Sequence, residues 1–188
     1  MMNQKAAIQL TRLFSLCVGL LLASVPALDD FAAIPYDVLA GVPLLFAGLL
    51  CGLYFGTSPS NRDTRLGFVG AGIGVCALFV AAIFLVQSGS QSGVSFLIIG
   101  LPAVTGFGVF SIMVAYILST SSEVSVPRWI PIALVVTPLV DPLANAVITP
   151  MLSVGLSITG LVWVGFGLTL RGKNQTLNSA NATTSHAN

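Results

Sequence analysis

Histidine and charged side chains are scarce in this chain of 188 residues. It contains one histidine, His186, and only 7% of its residues are charged, whereas about 25% are charged in an ordinary globular domain. Haem, di-iron and zinc sites usually draw on histidine, so we expect no metal and no cofactor. General acid–base chemistry also lacks its usual residues, and the sequence predicts a protein that is not an enzyme.

Paired cysteines and basic clusters are missing as well. Cys17, Cys51 and Cys76 lie singly in apolar runs, where we expect each to be buried as a small hydrophobic residue. The net charge is only +1, and no basic stripe is present that would neutralise the phosphates of a nucleic acid. Nucleic acid is therefore excluded as an expected partner.

Long apolar runs make up most of the chain, which is 55% hydrophobic. Each helix that spans a membrane needs roughly 20 apolar residues, and residues 1–173 accommodate about six such helices. The sequence thus predicts an all-α, polytopic integral membrane protein: one domain, a bundle of transmembrane helices surrounded by the lipid bilayer. The predicted helices cover residues 6–28, 38–56, 66–86, 94–118, 129–148 and 151–170.

The seven basic residues are sorted into alternate connections between these runs. Membrane insertion produces this arrangement, because cytoplasmic loops retain Lys and Arg. We therefore expect a protein of the cell membrane with both termini in the cytoplasm, including a disordered tail over residues 174–188, where apolar residues are few. The basic residues are Lys5 and Arg12 before the uninterrupted apolar part of the first run, roughly Leu13 to Leu28, then Arg62 and Arg65 between the second and third runs, Arg128 between the fourth and fifth, and Arg171 and Lys173 after the sixth.

The first run allows a second interpretation. Its basic start and the sequence Val25-Pro26-Ala27 at its end are typical of a secretory signal peptide that is cleaved after Ala27. The run also extends backward to Ala6, which gives it spanning length and continues the alternation of charge. We expect a retained helix; cleavage would leave five helices with unchanged orientations.

Glycines recur at intervals of four in the second and third runs. Gly48, Gly52 and Gly56 form a smooth strip on one face of the second helix, and Gly70 and Gly74 repeat the spacing on the third. Because lipid provides no hydrophobic force between helices, close packing over small residues must hold them together. We expect these two helices to lie against each other within one chain, in preference to forming a homodimer.

Asp141 is the one acidic residue within a predicted span. Thr137 and Asn145 lie four residues before and after it, so a continuous helix would present all three on one face. Pro138 and Pro142 interrupt the backbone hydrogen bonds of the same segment. A carboxylate in lipid must be protonated, paired or hydrated. These residues form a candidate site for a cation, a proton or a small solute.

The same segment has a purely structural interpretation. Asp followed by Pro is a favoured helix start, with the Asp side chain as the cap. The fifth helix would then end near Val140, and Asp141 would lie in the outer turn beside the lipid headgroups.

Two functions stand as expectations. The first is a non-enzymatic membrane component or accessory subunit that packs with other membrane proteins or with a second copy of itself. The alternative is a small transporter for a solute, cation or proton that uses Asp141. Both rest on architecture and on one polar segment, and neither identifies a substrate or a partner.

Overall fold

Six helices and one short strand pair make up the described part of the chain. The computed structural model describes residues 3–24, 41–59, 61–88, 96–147 and 152–172; of these it describes only the backbone for residues 88, 96–100, 140–147 and 152–157. The helices are α1 (Gln4–Ser24), α2 (Val42–Thr57), α3 (Arg62–Ser88), α4 (Phe96–Thr120), α5 (Trp129–Val147) and α6 (Leu152–Thr169). The prediction of an all-helical fold with six helices is confirmed for these residues.

Three of the helices are long and apolar enough to cross a membrane. They are α1, α3 and the part of α4 from Leu101 to Thr120. Shorter apolar helices are formed by α2, by residues Trp129–Leu139 of α5 and by residues Ile158–Thr169 of α6. By length and composition, the described chain therefore has the elements of a membrane-embedded bundle.

Local signals set the helix ends beyond the apolar runs. Helix α3 begins at Arg62, four residues before the predicted start, because the Asn61 Oδ1 atom accepts a hydrogen bond from the Thr64 backbone N–H at 2.6 Å. Helix α2 ends where Ser58 adopts a left-handed conformation (φ 44°) and its N–H donates to the Tyr54 carbonyl at 3.1 Å. Polar caps thus extend or stop a helix where hydrophobicity gives no boundary.

The helices form a closed ring in chain order. Each helix contacts the ones before and after it, and α6 returns to contact α1. Aromatic rings fill the interior: the Phe46 and Phe110 centroids lie 5.0 Å apart, and the Trp163 ring lies 5.8 Å from Phe110 and 6.2 Å from Phe46. These three side chains come from α2, α4 and α6, so alternate helices of the ring meet through the core.

The strand pair joins the connection after α4 to the segment after α6. Strand β1 (Val124–Ser125) runs antiparallel to β2 (Arg171–Gly172), with Val124 opposite Gly172 and Ser125 opposite Arg171. The sequence predicts no strand here, since two residues on each side are too few to show an alternating pattern.

The glycine strips pack differently from the prediction. A Cβ atom at Gly48 would lie 2.5 Å from the Phe14 ring, and one at Gly52 would lie 2.5 Å from Thr11 Oγ1, so the α2 strip packs against α1 and not against α3. A Cβ at Gly74 would lie 2.8 Å from the Gly106 carbonyl, and one at Gly70 would lie 2.6 Å from the Met113 sulfur, so the α3 glycines pack against α4. Gly56, the last member of the α2 strip, also faces α1. The spacing of small residues identifies a face for close packing, but either neighbour of a helix can occupy that face.

The cysteines also differ from their prediction. Cys17, Cys51 and Cys76 are all exposed on the outside of the bundle, although burial was expected. An apolar helix in a membrane protein is hydrophobic on its inner and outer faces alike, so an apolar neighbourhood in the sequence does not distinguish core from lipid.

Candidate functional site

One end of the bundle collects the starts of α1, α3 and α5 and the ends of α2, α4 and α6. Gln4 of α1 donates from Nε2 to the carbonyl of Gly56 in α2 at 3.1 Å. Asn61, which precedes α3, donates from Nδ2 to the carbonyl of Thr120 in α4 at 3.4 Å. Arg12 of α1 donates from Nε to the carbonyl of Gly167 in α6 at 3.0 Å. Neighbouring helices are therefore antiparallel, and we call this end of the bundle the basic end.

All the basic residues whose positions the structure describes belong to the basic end. Two acids, Asp63 and Glu123, lie there too, in the first turn of α3 and beside β1. The cations outnumber them, so this end carries a positive excess. The cations are Lys5, Arg12, Arg62, Arg65, Arg128 and Arg171; Lys173 is outside the described residues.

Three side chains at the basic end compensate helix C-termini. The last carbonyls of a helix have no partner within it, and they carry the negative end of the helix dipole. The three donors named above, Gln4, Asn61 and Arg12, each reach such a carbonyl on a neighbouring helix. Arg12 also brings a positive charge to the end of α6, where a cation is favourable.

Aromatic side chains with polar tips surround the same end. Tyr54, Tyr116 and Trp129 lie in the last turns of α2 and α4 and at the first residue of α5, and they are 49%, 40% and 51% exposed. Tyr and Trp prefer the level of lipid headgroups.

An apolar groove runs between α4 and α5 toward the basic end. It measures about 420 Å³ and is lined by Ile112, Ala115 and Tyr116 on one side and by Pro131, Ile132 and Val135 on the other. A second cleft of about 310 Å³ contains Arg128 and shares Ser119, Pro131 and Ile132 with the groove. We call the two together the Arg128 groove. It is an apolar surface groove between α4 and α5 that leads to the Arg128 side chain.

The bundle interior holds buried polar atoms of two kinds. The Ser15 hydroxyl of α1 donates to the Trp163 carbonyl of α6 at 2.6 Å and links the two helices that close the ring. By contrast, Ser111 Oγ and Trp163 Nε1 are buried without a hydrogen-bond partner in the described part of the chain. An unpaired polar atom in an apolar interior is unfavourable by about 1 to 3 kcal/mol.

The candidate site around Asp141 is described only in part. Thr137 is 9% exposed, and its hydroxyl donates to the carbonyl of Ala133 at 2.9 Å, within its own helix. Helix α5 continues past Val140 as far as Val147, so it does not end before Asp141 as the structural interpretation expected. The side chains of Asp141 and Asn145 lie outside the described residues, and whether they form a site with Thr137 stays a prediction.

No protein-family model matches this chain, and no curated protein or solved structure is significantly similar to it.

Proposed function

We propose that this chain is a multi-pass integral membrane protein whose basic end faces the cytoplasm, and that it acts as a non-enzymatic component that packs with other membrane proteins. The observation that carries the proposal is the combination of an apolar outer surface with cations gathered at one end. Cytoplasmic retention of Lys and Arg explains that charge distribution.

The outer surface supports insertion on energetic grounds. At least 23 large hydrophobic side chains among the described residues are exposed, and only 33% of the apolar window is buried in both α1 and α3. A large apolar side chain that is exposed to water is less stable by about 1.5 to 3 kcal/mol than one in an apolar environment. A surface of this kind is stable in lipid or against a protein partner.

Extraction tests the membrane assignment. After expression, membranes are washed with alkaline carbonate, which removes peripheral proteins and leaves integral ones in the pellet. The proposal predicts that the chain stays in the pellet and is released only by detergent. Recovery in the carbonate supernatant would contradict it.

The filled interior supports a packing role over that of an open channel. Phe46, Phe110 and Trp163 pack against one another in the middle of the ring and fill it at their level in the described part of the chain. The proposal predicts that gentle detergent extraction, after cross-linking in intact membranes, recovers the chain with a membrane protein in a fixed ratio. Recovery of the isolated chain alone at native expression level would contradict this role.

A second candidate is a carrier for a cation, proton or small solute. It is favoured by the continuity of α5 through Asp141. An acid at a helix end can act as a cap, whereas an acid within a membrane helix usually marks a functional site. In this proposal Asp141 carries the exchangeable proton or cation, and Asn145 and Thr137 line the path. Flux in reconstituted vesicles tests it: Asp141→Asn should abolish uptake, while Asp63→Asn, at the basic end, should preserve it. Equal flux in the two variants would remove Asp141 from the mechanism.

We also propose that α1 is retained in the mature protein. It contacts both α2 and α6, and it supplies the side chains of Gln4, Arg12 and Ser15 to its neighbours. Intact-mass measurement of the purified protein should therefore include residues 6–28. A mass that begins at Leu28 would show that the signal-peptide interpretation is correct.

A further inference from the structure

We propose that the Arg128 groove binds one anionic phospholipid, with an acyl chain between α4 and α5 and the phosphate at Arg128. This inference rests on the proposed membrane insertion and adds a ligand to it. The juxtaposition that carries it is the apolar groove opening directly into the cleft of Arg128, at the end of the bundle where the cations lie.

The groove has the dimensions and the chemistry of a site for an acyl chain. It extends along α4 from Ile112 to Ser119, which is about 10 Å of helix. Its floor is formed by Ala115, which is almost fully buried, and Ile132 forms part of the opposite wall. A chain lying here would contact both helices without displacing any side chain that fills the bundle interior.

The open end of the groove has the features of a headgroup site. Arg128 is exposed and lines the cleft that continues the groove, and a guanidinium binds phosphate oxygens through two parallel hydrogen bonds. Trp129, the next residue, is exposed at the same level, where indole rings prefer to lie among headgroups. The acyl chain would therefore lie in the apolar groove, and the phosphate would lie beside Arg128.

The charge of the lining selects an anionic lipid over a zwitterionic one. None of the residues that line the groove or its cleft is acidic. The nearby Glu123 instead accepts a hydrogen bond from Gln4 Nε2 at 3.4 Å. Arg171, which faces Ser125 across the strand pair, adds a second cation near the cleft, so two guanidinium groups face one nearby carboxyl group and a lipid with a net negative charge is favoured. Basic pockets between transmembrane helices bind anionic headgroups for the same reason.

A partner helix is the competing occupant, and the structure favours the lipid. A helix docked between α4 and α5 would gain contacts along the whole groove but would need no cation at its end. The cleft of Arg128 opens from the groove through the shared residues Ser119 and Pro131. Only an occupant with an apolar chain and an adjoining negative charge uses both parts.

Native mass spectrometry of the full-length protein tests the site. The protein is released from detergent containing equal amounts of phosphatidylglycerol and phosphatidylcholine, and the bound lipids are counted. We expect one phosphatidylglycerol retained by the wild type. Arg128→Gln should lower the preference for phosphatidylglycerol about fivefold, the effect of one basic residue near an anionic surface.

Matched control variants distinguish binding at this groove from the effect of removing any cation at the basic end, and from the effect of adding a large side chain anywhere on α4. Arg62→Gln removes an exposed cation at the same end that does not line the groove, and the preference should be unchanged. Ser119→Trp places a large side chain at the junction of groove and cleft and should prevent retention. Val109→Trp adds the same bulk to an exposed position of α4 outside the groove, and retention should persist.

Several outcomes would overturn the inference. One is equal retention of the two lipids by the wild type. Others are an unchanged preference in Arg128→Gln, an equal loss in Arg62→Gln, or a co-purifying protein in the groove that persists without Arg128. In each of these cases the proposed membrane function stands if carbonate leaves the chain in the pellet. Release by carbonate would overturn both proposals.

Discussion

Single polar side chains in the interior of this bundle affect its stability in different ways, depending on whether they find a hydrogen-bond partner. Ser15 links α1 to α6 through the Trp163 carbonyl, whereas Ser111, equally buried, has no partner among the described residues. Hydrogen bonds between helices within a membrane contribute about 0.6 kcal/mol on average and up to about 1.7 kcal/mol. Two serines of the same size thus have opposite consequences for stability.

The first prediction compares these two serines by the same substitution. Ser15→Ala should lower the free energy of unfolding by about 0.6 to 1 kcal/mol, because the bond between α1 and α6 is lost. Ser111→Ala should leave it unchanged or raise it, because an unpaired hydroxyl is removed from the interior. Unfolding of the purified protein, followed by circular dichroism during SDS titration in mixed micelles, measures both. A larger loss for Ser111→Ala would show that its hydroxyl has a partner.

The second prediction concerns the cation at the end of α6. Arg12→Met keeps the length of the side chain but removes its charge and its hydrogen bond to Gly167, so stability should fall by about 1 kcal/mol. Arg62→Met, at an exposed position, should change it by less than about 0.5 kcal/mol. Thermal unfolding in detergent measures the two variants. Equal midpoints would mean that Arg12 does not stabilise the end of α6.

At the scale of elements, glycines determine how closely the helices approach. A Cβ at Gly160 would lie 2.5 Å from the Ala23 backbone nitrogen and 2.6 Å from the Gly19 carbonyl, so α1 and α6 meet backbone to backbone. At Gly108, in contrast, no other side chain or neighbouring helix of the described chain lies within 4 Å of the position that a Cβ would occupy. The ring closes through the crossing at Gly160, since α1 and α6 are its first and last members.

The third prediction applies one substitution to both glycines. Gly160→Ala should destabilise the protein by at least about 2 kcal/mol, because backbone atoms cannot yield to the new methyl group. Gly108→Ala should stabilise it by about 0.5 to 1 kcal/mol, because alanine favours the helical state over glycine. SDS titration measures both changes. Stabilisation by both variants would mean that α1 and α6 do not approach this closely.

The elements also show what the sequence determines and what it does not. Apolar runs locate all six helices, three of which are long and apolar enough to cross a membrane. The glycine spacing identifies a packing face of α2 but not its partner, which is α1. Strand β1 has no signal in the sequence, because its pairing with Arg171 and Gly172 depends on residues far along the chain. Similarly, the sequence around Arg128 predicts only which side of the membrane it lies on. The groove beside it could not be predicted, because it is formed by the packing of α4 against α5.

At the scale of the whole molecule, charge and hydrophobicity divide the surface into zones. Among the described residues, large hydrophobic side chains are exposed on the outside of all six helices, and Tyr54, Tyr116 and Trp129 are exposed near the basic end. The described cations are gathered at that end although they come from every part of the chain. In the orientation that we propose, retention of the basic end in the cytoplasm during insertion explains this distribution.

Cysteine labelling in intact cells tests this orientation most directly. In a background in which Cys17, Cys51 and Cys76 are replaced by alanine, single cysteines are introduced by Ser122→Cys, beside β1, and by Gln91→Cys, in the connection between α3 and α4. We predict that a membrane-impermeant maleimide labels the Gln91→Cys protein in intact cells but labels the Ser122→Cys protein only after permeabilisation. Labelling of the Ser122→Cys protein in intact cells would contradict the account.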